Sequence, residues 1–356
     1  MKLLPMISGA LAALTLFTPV NSYLRREAAK KTEKPQIPEE KNEISEEARA
    51  AFDEYLPGIV CWGDSLTVGA GGDGVTYPDV LASLIEEDLG TPVDVVNMGV
   101  GGETSPTIVA RSGTIPFRVQ QFTIPADTTP VPIKIFSDLH KRVLPLIQGD
   151  GGVNPVTIGG VEGEITVKLS TVVEWSEYYF TRSEPGDEVL IERGTEIVTY
   201  SADKWRDYVN VVFIGTNGDF RNAEELIEQE RAILERSERN GERYVIVGLY
   251  KLNSYQVNTP HDKAYYDELD AAMKAEFGDR FIDLRGYLMT GGLADAGITP
   301  TDEDRAAIAD GRVPPSLMVD DLLHLNATGY KLAGQIIFDR MNELGYFDEV
   351  RTALGK

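Results

Sequence analysis

The chain has 356 residues, of which 57 are Asp or Glu and 34 are Lys or Arg, so its formal net charge is −23. This negative field repels phosphate backbones and no basic stripe interrupts it, so we expect no nucleic-acid partner. The single cysteine, Cys61, excludes an internal disulfide and a zinc site of the cysteine type, and three histidines disfavour a histidine-rich metal centre. Because Cys61 lies in an apolar run, we interpret it as a buried small hydrophobe.

The first 22 residues predict an export signal. Lys2 precedes an uncharged apolar stretch from Leu3 to Val20, and the residues that follow suit a signal-peptidase cut. We favour a cleaved signal over an uncleaved N-terminal anchor, and expect a secreted or cell-surface protein without stable membrane insertion once the signal is cleaved. Residues 23–48, rich in Lys, Glu and Pro, are interpreted as a solvated linker.

Beyond the linker, short apolar runs alternate with amphipathic helical patterns. Strands are predicted at residues 59–62, 93–96, 209–214, 244–249 and 281–284, and helices at residues 77–89, 223–238, 264–276 and from Asn326 onwards. This alternation predicts a parallel sheet covered on both faces, in an α/β domain made of residues 49–112 and 204–356.

Residues 113–203 interrupt this pattern with short β-prone runs separated by turns that contain Gly and Pro. We interpret them as an inserted β-rich domain of about 90 residues, a usual domain size. Its aromatic residues are open to two interpretations, a sugar-stacking surface or a hydrophobic core, and the core is favoured because β-sandwiches bury alternating aromatics. These residues are Trp175, Tyr178, Tyr179 and Phe180.

Two short motifs follow the first two predicted strands. Residues 63–67 (GDSLT) place Ser65 at a strand-to-helix turn, where its hydroxyl and backbone N–H can face the carboxyl edge of the sheet. Residues 97–105 (NMGVGGETS) carry glycines that let the backbone approach a ligand closely. Each motif by itself is also compatible with an ordinary turn and helix cap, and the full spaced glycine fingerprint of dinucleotide binding is absent.

Two further motifs lie later in the chain. Asn217, in residues 215–218 (GTNG), follows the third strand and can donate its amide to a developing oxyanion, although Asn-Gly also favours a simple turn. His324 follows two acidic residues just before the last helix, so one ring nitrogen can be held by a carboxylate while the other faces the serine. Spacing alone allows either Asp320 or Asp321 to orient it.

The four motifs, in this order, resemble the consensus blocks of the SGNH hydrolase superfamily, the GDSL-type esterases and lipases. The resemblance covers roughly residues 57–112 and 204–345 and leaves out the insert. It implies a flavodoxin-like α/β fold, a three-layer doubly wound parallel sheet, here carrying an inserted all-β domain. It also implies a serine esterase that needs no metal and no cofactor.

The resemblance further implies a role for each site residue. Ser65 corresponds to the nucleophile, His324 to the general base and Asp321 to the residue that orients the base. The oxyanion hole consists of the backbone N–H groups of Ser65 and Gly102 and the side-chain amide of Asn217. One departure is that Gly218 stands where the family usually has an acid, but that acid is not one of the catalytic groups.

We therefore expect hydrolysis of a carboxylic ester through an acyl-enzyme, with an acetylated polysaccharide as the favoured substrate because of the export signal and the insert. Three alternatives stay open at this point: a lipase or lysophospholipase, an acyltransferase with the same triad, and a non-catalytic glycan-binding protein on the same fold. The sequence does not indicate an oligomeric state.

Overall fold

The computed structural model describes residues 45–139, 143, 145, 152–168, 176–237, 243–253 and 261–356. The predicted signal or anchor at residues 1–22 and nearly all of the predicted linker lie outside these residues. Helix α1 (Glu46–Tyr55) begins within the last residues assigned to the linker, because the Ser45 side chain caps it by accepting from the N–H of Ala48. Among the described helices, none is long and apolar enough to cross a bilayer.

The structure contains a parallel sheet and a set of antiparallel strands. In chain order the described strands are β1 (Ile59–Gly63), β2 (Val95–Gly99), β3 (Arg118–Val119), β4 (Phe122–Ile124), β5 (Val131–Ile133), β6 (Ile135–Phe136), β7 (Val156–Ile158), β8 (Val161–Lys168), β9 (Glu177–Arg182), β10 (Val189–Ile191), β11 (Ile197–Val198), β12 (Val209–Phe213), β13 (Tyr244–Val247) and β14 (Phe281–Ile282).

The five predicted strands of the α/β part are all present and form one parallel sheet, with some ends shifted by a few residues from the predicted positions. Their order is β2-β1-β12-β13-β14, which is 2-1-3-4-5 when counted within this sheet. Every residue of β1 and β12 is buried, including Cys61 as interpreted above. Because successive residues of a strand point to opposite faces, the sheet is covered on both sides.

The remaining described α-helices are α2 (Ser65–Val68), α3 (Tyr77–Leu89), α4 (Ser105–Ser112), α5 (Ala223–Glu235), α6 (Lys263–Phe277), α7 (Leu284–Tyr287), α8 (Leu293–Asp295), α9 (Asp302–Ala309), α10 (Ala327–Glu343) and α11 (Asp348–Ala353). Helix α3 has the predicted bounds. It ends at Leu89 because Gly90, which follows, adopts the left-handed conformation. Helix α10 begins at the predicted cap Asn326, whose side chain accepts from the N–H of Gly329.

The residues predicted to form the insert contain strands β3 to β11, all paired antiparallel. Five of them form one sheet in the order β11-β7-β8-β9-β5, with its own hydrophobic cluster beneath. Tyr178 and Phe180 belong to that cluster, which confirms their interpretation as core residues. Tyr179 is only partly buried, and Trp175 lies outside the described residues.

The end of the insert is anchored to α4. The hydroxyl groups of Thr199 and Ser201 both donate to the carbonyl of Arg111, at 2.7 and 2.8 Å. The buried guanidinium of Arg236 donates to the carbonyls of Ser112 and Ser201 at 3.1 and 2.9 Å. The chain thus leaves the insert beside the helix that precedes it.

Candidate active site

The first three sequence motifs lie at the carboxyl ends of strands that are neighbours in the sheet. Strand β1 lies between β2 and β12, and Gly63 at its end pairs with Gly99 and Phe213 at the ends of the other two. The segments that follow therefore start at the same edge, where the strand order reverses. Crevices at such a switch point are where open α/β sheets bind ligands.

Ser65 is the first residue of the short helix α2. Asp64 caps this helix, since its Oδ1 accepts from the N–H of Leu66 at 3.0 Å. The turn lies close against β2, and a Cβ on Gly99 would stand 2.4 Å from the backbone nitrogen of Val68. At this position the N–H of Ser65 has no partner within the helix.

His324 meets both of its expected neighbours. Its Nε2 lies 2.8 Å from Oγ of Ser65, and its Nδ1 lies 2.6 Å from Oδ2 of Asp321. Because an ionised carboxylate only accepts hydrogen bonds, Nδ1 carries the proton and Nε2 is left to accept from the hydroxyl. Of the two carboxylates that spacing allowed, the fold brings Asp321 to the ring, whereas Asp320 is exposed and makes no hydrogen bond to it.

Asp321 is held by the backbone as well as by the ring. Its Oδ1 accepts from the N–H groups of Leu323 and His324 at 2.8 and 2.9 Å. Partial burial acts to raise the pKa of Asp321, but the hydrogen bonds from the ring and these two amides outweigh it, so the pKa lies below its ordinary value. The carboxylate is therefore kept in the charged form that a hydrogen-bond acceptor for His324 must have.

The loop of His324 is supported by Tyr250 and Lys251, which lie beyond the end of β13 and outside the four sequence motifs. Tyr250 donates its hydroxyl to the carbonyl of Leu323 at 2.8 Å, and the ammonium of Lys251 donates to the carbonyl of Leu322. Leu322 itself has a φ of +51°, which makes the tight turn between Asp321 and His324. The only sequence signal for this support was polar residues just past the carboxyl end of a strand.

The segments of Gly102 and Asn217 are joined to each other. Asn217 is buried, and its Nδ2 donates to the carbonyl of Glu103 at 2.9 Å. Gly102, at a φ of +86°, adopts a backbone conformation that L side chains rarely take. Strand register brings both segments to the edge that carries Ser65, although no hydrogen bond connects either residue directly to Ser65 within the described chain.

The site offers two unused N–H groups beside the one on Ser65. The backbone N–H of Gly102 and the second N–H of Asn217 make no hydrogen bond to any residue that the structure describes. Asn253, which belongs to none of the four sequence motifs, donates its side-chain N–H to Oδ1 of Asn217 at 2.9 Å. N–H groups placed in this way can stabilise the negative oxygen that forms when a serine attacks a carbonyl.

No group of three or more His, Cys, Asp or Glu side chains is arranged to hold a metal ion within the described residues. A cleft of about 450 Å³ is present elsewhere, between the start of α6 and the residues after α9, and it contains none of the predicted site residues. His261 lines this cleft and packs against Tyr265, with ring centroids 4.0 Å apart. His140 lies outside the described residues.

Comparison with protein-family models found no match for the chain, and comparison with curated proteins found none either. What the site does is therefore inferred from its geometry.

Proposed function

We propose that the chain is a serine ester hydrolase built on the flavodoxin-like, three-layer, doubly wound fold of the SGNH hydrolases. The strand order 2-1-3-4-5 within the parallel sheet supports this fold, because it is the order found in flavodoxin-like proteins. The order of the four motifs along the chain, with the first three at the carboxyl ends of neighbouring strands, supports the family.

One observation carries the proposed activity, namely that Ser65, His324 and Asp321 form a continuous chain of hydrogen bonds. The two contacts measure 2.8 Å and 2.6 Å, and the serine and histidine are 259 positions apart in the sequence. A hydroxyl against an imidazole whose other nitrogen is held by a carboxylate is the arrangement of an activated serine nucleophile.

In the proposed reaction, Nε2 of His324 takes the proton of Ser65 while Oγ attacks the carbonyl carbon of the ester. Asp321 accepts from Nδ1–H throughout and stabilises the imidazolium that forms. The tetrahedral intermediate collapses as His324 passes the proton to the leaving alcohol, and an acyl group stays on Ser65. Water then attacks this acyl group with His324 as its base, which releases the acid and restores the hydroxyl.

The oxyanion of both tetrahedral intermediates is assigned to three donors: the backbone N–H groups of Ser65 and Gly102 and Nδ2 of Asn217. They are attached to three neighbouring strands, so the sheet fixes their spacing before a substrate binds. Such fixed donors stabilise the transition state without reorganisation, and removing one typically lowers kcat by about 10²–10³-fold.

We infer that the substrate is an acetylated carbohydrate outside the cytoplasm, reached by a secreted or cell-surface protein. The export signal predicted from the sequence supports this location, and a net charge of −23 disfavours a polyanionic substrate. On the outer face of the insert, the partly exposed Tyr179 lies between Pro132 and Thr166 of the adjacent strands. Its ring offers an amphipathic surface on which a sugar can stack.

An esterase for longer acyl chains, such as a lipase or lysophospholipase, is a second candidate that one observation favours. Of the four large hydrophobic side chains exposed in the described part of the chain, Val68 is 42% exposed and Leu322 is 37% exposed. Val68 lies three residues after Ser65, and Leu322 lies two residues before His324. Exposed apolar side chains on the helix of the nucleophile and in the turn of the base suit an acyl chain longer than acetyl.

The test is hydrolysis of p-nitrophenyl esters from acetate to octanoate by the full chain, by Ser65→Ala and by Ser83→Ala. Ser83 is an exposed helix residue, so Ser83→Ala serves as the matched control. This variant should hydrolyse the esters like the unaltered chain. A fluorophosphonate probe read by mass spectrometry reports separately whether Ser65 is nucleophilic. Hydrolysis and labelling that disappear only in Ser65→Ala support the proposal.

The chain-length profile then separates the substrates. Acetate as the fastest ester favours deacetylation of glycans, whereas octanoate as the fastest favours the second candidate. Labelling of Ser65 without hydrolysis of any ester points to an acyltransferase. If the unaltered chain is not labelled and hydrolyses no ester, the proposed function is overturned and a non-catalytic glycan-binding role is favoured.

A further inference from the structure

Asn253, six residues after the end of β13, reaches the loop that carries Asn217. Its Nδ2 donates to Oδ1 of Asn217 at 2.9 Å, and its backbone N–H donates to the carbonyl of Thr216 at 2.7 Å. Strands β12 and β13 are neighbours in the sheet, which is why the two segments meet. Asn253 therefore touches a proposed oxyanion donor without belonging to any of the four sequence motifs.

The contacts around Asn217 determine which way its amide points. The carbonyl of Glu103 can only accept, so the end of the amide that lies 2.9 Å from it must be the nitrogen. The oxygen then faces Asn253, which has to donate to it. Held at both ends, the amide has one N–H left, and the described residues do not use it.

We propose that Asn253 is a positioning residue that acts through Asn217, holding the free N–H of that amide toward the oxyanion. This inference rests on the proposed ester hydrolysis. Without the donor on Asn253, the bond to Glu103 is the one hydrogen bond that the amide of Asn217 keeps to the described residues, and the amide gains rotational freedom. Pre-organisation of an oxyanion donor lowers the barrier of the chemical step, so the effect belongs to kcat and not to KM.

The test is a double-mutant cycle on the full chain, made of Asn253→Ala, Asn217→Ala and the double variant. The substrate is the p-nitrophenyl ester that the unaltered chain hydrolyses fastest. We expect Asn253→Ala to lower kcat by about tenfold, with KM changed by less than about twofold. In the Asn217→Ala background the same substitution should have no further effect on kcat beyond about twofold, because the group it positions is gone.

Two more variants separate positioning from general damage. Asn253→Asp keeps the shape but offers only acceptors to Oδ1 of Asn217, so its kcat should be no higher than that of Asn253→Ala. Asn222 caps α5, because its side chain accepts from the N–H of Glu225 at 2.9 Å, and Asn222→Ala removes this cap. This variant should unfold at a lower urea concentration than the unaltered chain and leave kcat unchanged.

The outcomes are distinguishable. An active unaltered chain whose kcat survives Asn253→Ala overturns the inference alone, as does a loss that is undiminished in the Asn217→Ala background. Loss of kcat in Asn222→Ala to the same extent as in Asn253→Ala also overturns it, since the effect would then follow stability. An unaltered chain that hydrolyses no ester overturns the proposed function and this inference together.

Discussion

Glu103, in the segment between β2 and α4, forms a fully buried ion pair with Arg111 on α4. Nη2 of Arg111 is 2.8 Å from Oε2 of Glu103, and neither side chain is exposed. Burial raises the pKa of Glu103, and the charge and hydrogen bonds of Arg111 oppose that rise. The carbonyl of Glu103 holds Asn217 and the carbonyl of Arg111 holds Thr199, so the pair connects the candidate site to the end of the insert.

Arg111→Met should lower the free energy of unfolding by about 3–5 kcal/mol, because it leaves the Glu103 carboxylate buried without its cation. Urea denaturation at pH 7 measures this loss. Adding Glu103→Gln should recover part of it, since no charge then stays buried. As a control, Lys168→Met breaks a pair whose side chains are 75% and 56% exposed, and should change stability by less than about 1 kcal/mol. A loss of stability in Lys168→Met as large as that in Arg111→Met would contradict the prediction.

Asp321→Asn should lower kcat for ester hydrolysis by about 10³–10⁴-fold. The amide carries no charge to stabilise the imidazolium, and its NH2 end cannot accept from Nδ1–H. The matched control is Asp320→Asn, which changes the adjacent, exposed carboxylate that does not bond the ring. Its kcat should stay within about twofold of the unaltered chain. A comparable loss in both variants would mean that the negative charge of this loop matters, and not the contact to His324.

Asp64 is a buried carboxyl group next to the proposed nucleophile. It is not exposed, and its Oδ2 has no hydrogen-bond partner in the described chain. Burial raises its pKa to about 7, although the N–H of Leu66 and the nearby His324 act to lower it, while Glu103 adds to the rise. The folded protein therefore keeps a proton on Asp64 up to about pH 7, whereas the unfolded chain loses it near the ordinary value of 3.8.

Between about pH 4 and pH 7 the folded state binds more protons at Asp64 than the unfolded state, so stability falls as the pH rises through this window. Asp64→Asn removes the ionisation. Its stability relative to the unaltered chain should rise by roughly 2–3 kcal/mol from pH 5 to pH 8. Urea denaturation of both proteins at the two pH values checks this, with Asp320→Asn as the exposed control. A pH-independent difference between Asp64→Asn and the unaltered chain would refute the prediction.

Leu322 carries a side chain at a φ of +51°, a conformation that is unfavourable for L residues. Leu322→Gly should therefore be more stable than Leu322→Ala by about 1 kcal/mol, because both remove the exposed side chain and only glycine relieves the backbone. Thermal denaturation of the two variants gives the difference directly. If Leu322→Ala proves the more stable, the turn is not strained in the way its φ indicates.

Local signals in the sequence predicted most of the secondary structure of the α/β part. The cap Asn326 and the stop at Gly90 act on neighbouring backbone groups, so they can be read without knowing the fold. Strand ends were less predictable, because a strand ends where its partner does. The second strand was predicted at residues 93–96, but pairing with β1 extends it to Gly99.

The sequence by itself determined that the chain alternates strands and helices, and it narrowed the reactive groups to Ser65, His324 and one of two adjacent aspartates. The family resemblance selected Asp321 from the two, and the tertiary structure brings that carboxylate to the ring through a tight turn at Leu322. The tertiary structure alone revealed Asn253, whose contact to Asn217 exists because β12 and β13 are adjacent in the sheet. Strand order and register join residues far apart in the chain, and no local pattern encodes such contacts.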